Sequence, residues 1–275
     1  MAMQGRVRAA AVLAFVAQAT IASAQSADTV SSQRLFTPAD FLLAGAVAAG
    51  AVIAHPLDDY FARRLQDSST QSNRKLHNLA LFVRTTAAPG SYIIGTTMYL
   101  VGRVSKEEHL ESLGLHGTEA LLVGEGVGGV LKGLFGRQRP FVQPRDPNSF
   151  EFLRGFGHGD DYRSFPSGHS VAAFAAAAAV TSETSAWFPH AKWEVGTVMF
   201  GGAALTGISR MYDNRHWASD VIIGAGIGTF AGLKVVRYHR THPGNAVDRV
   251  FITASLVPSD NGGHALQWSL APRPR

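Results

Sequence analysis

The chain has 275 residues, 46% of them apolar and 16% charged, with 29 glycines and no cysteine. That length supports one good hydrophobic core and is short for two, and the composition excludes both a disordered chain and an ordinary charged cytosolic one. The lack of cysteine excludes disulfides, thiolate catalysis and cysteine-ligated zinc. The formal charge of +5 attracts anions only mildly, and with Arg6, Arg8, Arg273 and Arg275 at the two ends no nucleic-acid partner is expected.

From the N-terminus, Arg6 and Arg8 precede an apolar run from Ala9 to Ile21, and Ala22-Ser23-Ala24 supplies the small residues a signal peptidase reads. Residues 1–24 are therefore expected to be a cleaved signal peptide, which sends the protein to the periplasm or cell envelope. The run is shorter than the roughly 20 residues a permanent anchor needs. Six apolar stretches follow, at Phe41 to Ala54, Ser91 to Gly102, Thr118 to Leu131, Ser170 to Thr181, Gly196 to Ile208 and Ala218 to Leu233. Each is too long for a typical strand and rich in alanine or leucine, so helices are expected. Polar segments lie at 58–77 and 105–117. The interruption from Gly136 to Phe165 holds Pro140, Pro144 and Pro147 together with Arg137, Arg139, Arg145, Arg154 and Arg163, the composition of a long ordered loop with a function. After Asn245, Val250 to Ala254 and Ala265 to Leu270, joined through Asp260-Asn261-Gly262-Gly263, predict a β-hairpin. The expected architecture is all-α, with one domain over 25–245 and a C-terminal β-hairpin appendage over 246–275.

Three short segments at helix ends carry the chemistry. The first is Lys132 followed by Arg139-Pro140: if the helix runs on to about Gln138, both cations face one side about 10 Å apart, and Pro140 stops the helix. Alone, such a pair reads as cations matched to a helix's negative pole. The second is Pro166-Ser167-Gly168-His169, where Ser167 is placed to cap the next helix and the free N–H groups near Gly168 and His169 suit a phosphate. Alone, it is an ordinary capped helix start. The third is Ser209-Arg210, His216 and Asp220. His216 and Asp220 are four residues apart, so the carboxylate can accept the imidazole proton and leave the other ring nitrogen free to attack. Alone, it is a solvated hydrogen-bonded pair.

Together these segments resemble, residue for residue, the three-part signature of the type 2 phosphatidic acid phosphatase and vanadium haloperoxidase superfamily. The likeness extends to Gly136-Arg137 and to His216-Trp217 through Asp220-Val221. It implies a six-helix-type bundle with the site at one end, and a phosphatase that cleaves mono- or diphosphate esters through a phosphohistidine at His216. Asp220 would orient His216, and His169 would protonate the leaving oxygen and then activate water. Lys132, Arg139 and Arg210 would hold the phosphoryl oxygens, with Ser167 and the Gly168 backbone adding neutral donors. The resemblance implies no metal and no cofactor, and a phosphorylated substrate such as a lipid phosphate, an isoprenoid diphosphate or a small phosphomonoester. Two other readings share the pocket: a vanadium-dependent haloperoxidase, and a non-catalytic anion-binding envelope protein.

Other polar groups read more plainly. His109 and His116 share a segment with Lys106, Glu107, Glu108 and Glu111, which suggests a solvated face. The side chains of Asp58-Asp59 and Asp160-Asp161 should diverge, which opposes a two-metal site. His158, Asp160 and Arg163 fit either the mouth of the substrate site or plain loop polarity. Gly224, Gly228 and Gly232 should let helices approach closely. The apolar stretches fall short of a span, and Glu119 and Glu125 interrupt the third. Three spans after a leader would also put Lys132 and Arg139 in the cytoplasm. A soluble or peripherally bound exported protein is therefore expected, with an integral membrane protein as the alternative.

Overall fold

Every apolar stretch lies inside a longer helix. The structure, a computed structural model, describes residues 34–144, 146–252, 254–258 and 264–268. The helices used below are α1 (Pro38–Ala54), α2 (Asp58–Leu65), α3 (Arg74–Thr85), α4 (Ser91–Ser105), α5 (Glu108–Phe135), α6 (Gly168–Trp187), α7 (Lys192–Tyr212), α8 (Ala218–Thr241) and α9 (Ala246–Phe251). The polar flanks are helical because glutamate, lysine and arginine cost a helix little, and packing of the apolar centre carries them along. The polar segments at 58–77 and 105–117 are thus largely helix. α3 escapes a search for apolar runs because it is amphipathic, with Ala80 and Val83 buried and Leu79 and Phe82 exposed.

α6 is the axis of the bundle and packs against α5, α7 and α8. Its Ala172, Ala175, Ala177, Ala178 and Ala179 are fully buried. A helix buried all round needs side chains this small if its neighbours are to come close. The glycines of α8 meet it: a Cβ on Gly224 would lie 2.5 Å from the Ser167 carbonyl oxygen, and one on Gly232 would lie 2.6 Å from that of Ala175. The two largest clusters of the core lie around Phe174 and Phe200 and around Leu121 and Val236.

The outside of the bundle is also apolar. Phe41, Leu42 and Val52 on α1, Ile93 and Val104 on α4, Leu122 and Val130 on α5, and Trp193 and Val198 on α7 are all more than half exposed. At the C-terminus, Ala254–Pro258 (β1) pairs antiparallel with His264–Trp268 (β2), Ala254 facing Trp268 and Pro258 facing His264. Val250 and Phe251, expected at the start of a strand, instead end α9, whose N-terminus is capped by the Asn245 side chain accepting from Asp248 N. The expected leader over 1–24, Arg145, the turn at Asp260 to Gly263, and Ser269 and Leu270 lie outside the described residues.

Candidate active site

α5 stops at Phe135, earlier than the spacing of Lys132 and Arg139 suggested. Gly136 adopts a left-handed conformation (φ 49°), and its N–H returns to the Lys132 carbonyl. Arg139 is therefore a loop residue, aimed by its own hydrogen bonds. Its Nε donates to the Asp160 carbonyl (2.7 Å), Nη2 to Asp160 Oδ1 (2.7 Å), and Nη1 to the Arg215 carbonyl (2.9 Å) and to His216 Nε2 (3.1 Å). Lys132 Nζ donates to the Pro166 carbonyl.

The loop from Gly136 to Phe165 is tied to the end of α5 and to itself. Gln138 N–H donates to Ser149 O, Glu151 N–H to Phe135 O, and Ser164 N–H to Arg137 O. Arg154 donates to the carbonyls of Gly136 and Ser149 and lies over the Tyr162 ring at 4.2 Å. Much of the arginine in this loop is thus spent holding the loop.

Ser167 sits at the start of α6, but its hydroxyl makes no cap. It accepts from Ser170 Oγ (2.9 Å), and the Ser167 N–H donates to the Asp220 carbonyl (3.1 Å), which joins the second segment to the third. His169, on the first turn of α6, is half-buried and feels the charges of Arg210, Lys132 and Arg84. Arg210 is buried on α7; its Nη1 donates to Asp213 Oδ2 (2.6 Å), the oxygen that Arg84 also reaches (2.6 Å), while its buried Nε has no protein partner.

His216 is buried, and its partners fix its tautomer. An arginine can only donate and a carbonyl can only accept. The contact of Nε2 with Arg139 Nη1, and that of Nδ1 with the Ser164 carbonyl (2.7 Å), are satisfied together only with the proton on Nδ1 and a lone pair on Nε2. Burial pushes the His216 pKa well below the usual histidine value; Arg139 and Lys132 push the same way against the opposing pull of Asp220. The orienting acceptor is therefore not the one expected: Asp220 Oδ2 lies 3.7 Å from Nδ1, beyond hydrogen-bonding distance. Asp220 instead accepts from Ser164 Oγ (2.6 Å) and Trp217 N–H (2.9 Å), so it positions the residue that holds His216.

Behind Asp220 lies a set of groups that sequence reasoning passed over. Arg137 is 1% exposed and donates to Asp220 Oδ1, to Ser219 Oγ (2.8 Å) and to Asp58 Oδ2 (2.7 Å), between the rings of Phe150 and Trp217. Asp58 also accepts from the N–H and hydroxyl of Ser219. The Gly136-Arg137 context was visible in the sequence; nothing local marked Asp58. Its neighbour Asp59 pairs with Arg63 instead (2.5 Å), so that aspartate pair diverges as expected, and Asp160 pairs with Arg139 and Arg215. His158 and Arg163 are exposed on the loop. His116 is not on a solvated face: it is 7% exposed inside the far end of the bundle, while His109 stacks on Trp187 at 4.4 Å.

Residues 115–243 match the sequence model of the PAP2 superfamily and contain most of the site just described. That segment, a little under half of the chain, is what resembles the PAP2 superfamily. Over 72 residues it is 44% identical to a lipid A 1-phosphatase of Porphyromonas gingivalis; the match covers 25% of this chain, which spans only 15% of that relative's length. Among solved structures, a transmembrane PAP2-type phosphatidylglycerolphosphate phosphatase of Bacillus subtilis superposes with a TM-score of 0.54 at 20% identity, covering 75% of this chain and 94% of its own. That likeness is one of fold. LpxE of Aquifex aeolicus superposes at 0.41 with 24% identity, over 58% of this chain and 86% of its own. The PAP2 segment begins inside α5 and ends just after α8, so α1 to α4 and the C-terminal hairpin lie outside it.

Proposed function

We propose that this chain is a phosphatase that hydrolyses phosphorylated lipids at the end of its helical bundle, through a phosphohistidine on His216. The observation that carries the reading is the Nε2 lone pair of His216, facing the Arg139 guanidinium with its Nδ1 proton parked on a carbonyl. In the first step, which requires His169 in its protonated form, Nε2 forms a bond to phosphorus as the ester P–O bond breaks, and the leaving oxygen takes the proton from His169. In the second, His169 takes a proton from water, the water oxygen bonds phosphorus, and the N–P bond breaks to release phosphate. Lys132, Arg139 and Arg210 supply positive charge where the transferring group carries its negative charge, with Ser167 and the Gly168 N–H beside them. The donors around this pocket are cationic, and Asp220 is engaged by Arg137, a set that suits an oxyanion rather than a divalent ion.

The substrate class follows from the surroundings. The loop beside the cradle exposes Phe141, Phe152, Leu153 and Phe156, an apolar rim next to a phosphate pocket. The outward faces of α1, α4, α5 and α7 add an apolar perimeter of a kind that soluble monomers rarely show. By length and composition together, Pro38–Leu65 and α8 could each cross a membrane, and the first of these is mostly exposed. Glu119 and Glu125 point inward, where charge in a membrane protein is tolerated. We therefore place the chain in a bilayer rather than free in the periplasm. The named activity of the Porphyromonas gingivalis relative agrees with a lipid substrate.

Labelling tests the chemistry: a substrate carrying radioactive phosphorus leaves acid-labile, base-stable label on the wild type and none on His216→Ala. Label on any other residue rejects the assignment. Fractionation tests the location, because the protein should pellet with membranes and be released by detergent alone. Release by alkaline carbonate would return it to the periphery.

A further inference from the structure

At the end of the bundle remote from His216, a second group of titratable side chains is buried. His116 from α5, His239 from α8 and Asp248 from α9 bring Nε2, Nδ1 and Oδ1 within 4.8 Å of one another. Asp248 Oδ1 lies 2.6 Å from His239 Nδ1 and 3.9 Å from His116 Nε2. At bond lengths of about 2.0–2.1 Å, a tetrahedral zinc sets its ligand atoms about 3.3–3.4 Å apart, so to take an ion the 2.6 Å contact must open and the two rings, stacked at 3.9 Å, must turn toward a common point.

The partners on the far side of each ring set this cluster apart from an ordinary ion-pair network. His116 Nδ1 meets Glu183 Oε1 at 2.5 Å, and His239 Nε2 meets Glu119 Oε2 at 2.7 Å. A carboxylate on the outer nitrogen holds the proton there and turns the lone pair of the other nitrogen inward, the usual support of a metal-bound imidazole. His239 has an alternative explanation, as an imidazolium bridging Glu119 and Asp248. For His116 the bridge is incomplete: its Nε2 is buried without a hydrogen-bond partner, 3.9 Å from Asp248 Oδ1. The setting is acidic, with three carboxylates around two imidazoles and Arg240 on Glu183 at 3.2 Å.

We propose that His116, His239 and Asp248 bind one divalent transition-metal ion, of the zinc type that imidazole and carboxylate ligands favour, as a clasp fastening α9 to α5 and α8. The fourth coordination position falls to solvent. Along α5, His116 and Lys132 are about 24 Å apart at 1.5 Å per residue, so the ion has no contact with the phosphate cradle. The clasp stands whether or not the chain is a phosphatase.

The test uses the full untagged chain in detergent, stripped with a chelator and titrated with zinc alone. Metal analysis should find one equivalent per chain, the melting temperature should rise on loading, and cobalt in its place should give the visible absorption of a tetrahedral site. His239→Gln and Asp248→Asn should weaken zinc binding by about 100-fold or more, and Glu119→Gln by about 10–100-fold as a supporting carboxylate. His216→Ala should keep the full equivalent. Absence of stoichiometric zinc in the wild type overturns the proposal, even if a ligand variant fails to fold. Undiminished affinity in folded Glu119→Gln and Asp248→Asn overturns it as well, as does loss of zinc from His216→Ala, which would put the ion in the cradle.

Discussion

α5, α6 and α8 carry opposite chemistry at their two ends. At one end Lys132 is held by a backbone carbonyl and Arg139 by two carbonyls and the exposed carboxylate of Asp160, and the histidine among them, His216, is held neutral. At the other end each imidazole has its own carboxylate, Glu183 on His116 and Glu119 on His239. Residue type does not settle what a buried histidine does. A carbonyl on one nitrogen and an arginine on the other prepare a nucleophile, whereas carboxylates behind two facing rings prepare a cation site.

The comparison can be broken first by removing the working groups of the cationic end. His169→Ala should lower kcat by ~10²–10⁴, the worth of a general acid, with the melting temperature little changed. A loss under tenfold would mean that the leaving oxygen finds its proton elsewhere. Arg137→Leu strands Asp58 and Asp220 as buried charges and should cost about 3–5 kcal/mol of stability, read as denaturation at markedly lower temperature. If it melts like the wild type, water must reach those carboxylates.

A smaller effect concerns pH. Because the folded pKa of His216 is lowered, its neutral, nucleophilic form persists as pH falls through the ordinary histidine value of about 6.5. The acid limb of kcat/KM assigned to His216 should therefore lie below that value. A limb at the ordinary value that disappears in an active variant with a titration-silent group elsewhere would point away from His216. The smallest effect expected is none: a chelator should leave turnover at 25 °C unchanged while lowering the melting temperature. Turnover lost to the chelator and restored by zinc or magnesium would erase the distinction between the two ends.

The polar segments at the helix ends were legible because each is local, with its residues at fixed short spacings. Lys132, Arg139, Ser167, Gly168, Arg210 and His216 all fall on the end of the bundle where the helices and the loop meet. What spacing misjudged was which atoms pair. Asp220 is four residues from His216, as an orienting carboxylate should be, yet it is the carbonyl of Ser164, far from both in sequence, that accepts the Nδ1 proton. α3 was hidden because its apolar run, Leu79 to Val83, is short and flanked by His77, Asn78 and Arg84, and the start of the hairpin because Val250 and Phe251 fit strand and helix alike until Asn245 caps them.

By itself the sequence determined the helical class and the three polar segments at helix ends, since each of these is local. Only the tertiary structure decided that Asp58 and Arg137 stand behind Asp220, that His116 is buried against His239, and that the perimeter is apolar. Those facts depend on which helix faces which. Two residues more than a hundred positions apart share no periodicity, and their pairing is fixed by the packing of small side chains along α6 and α8.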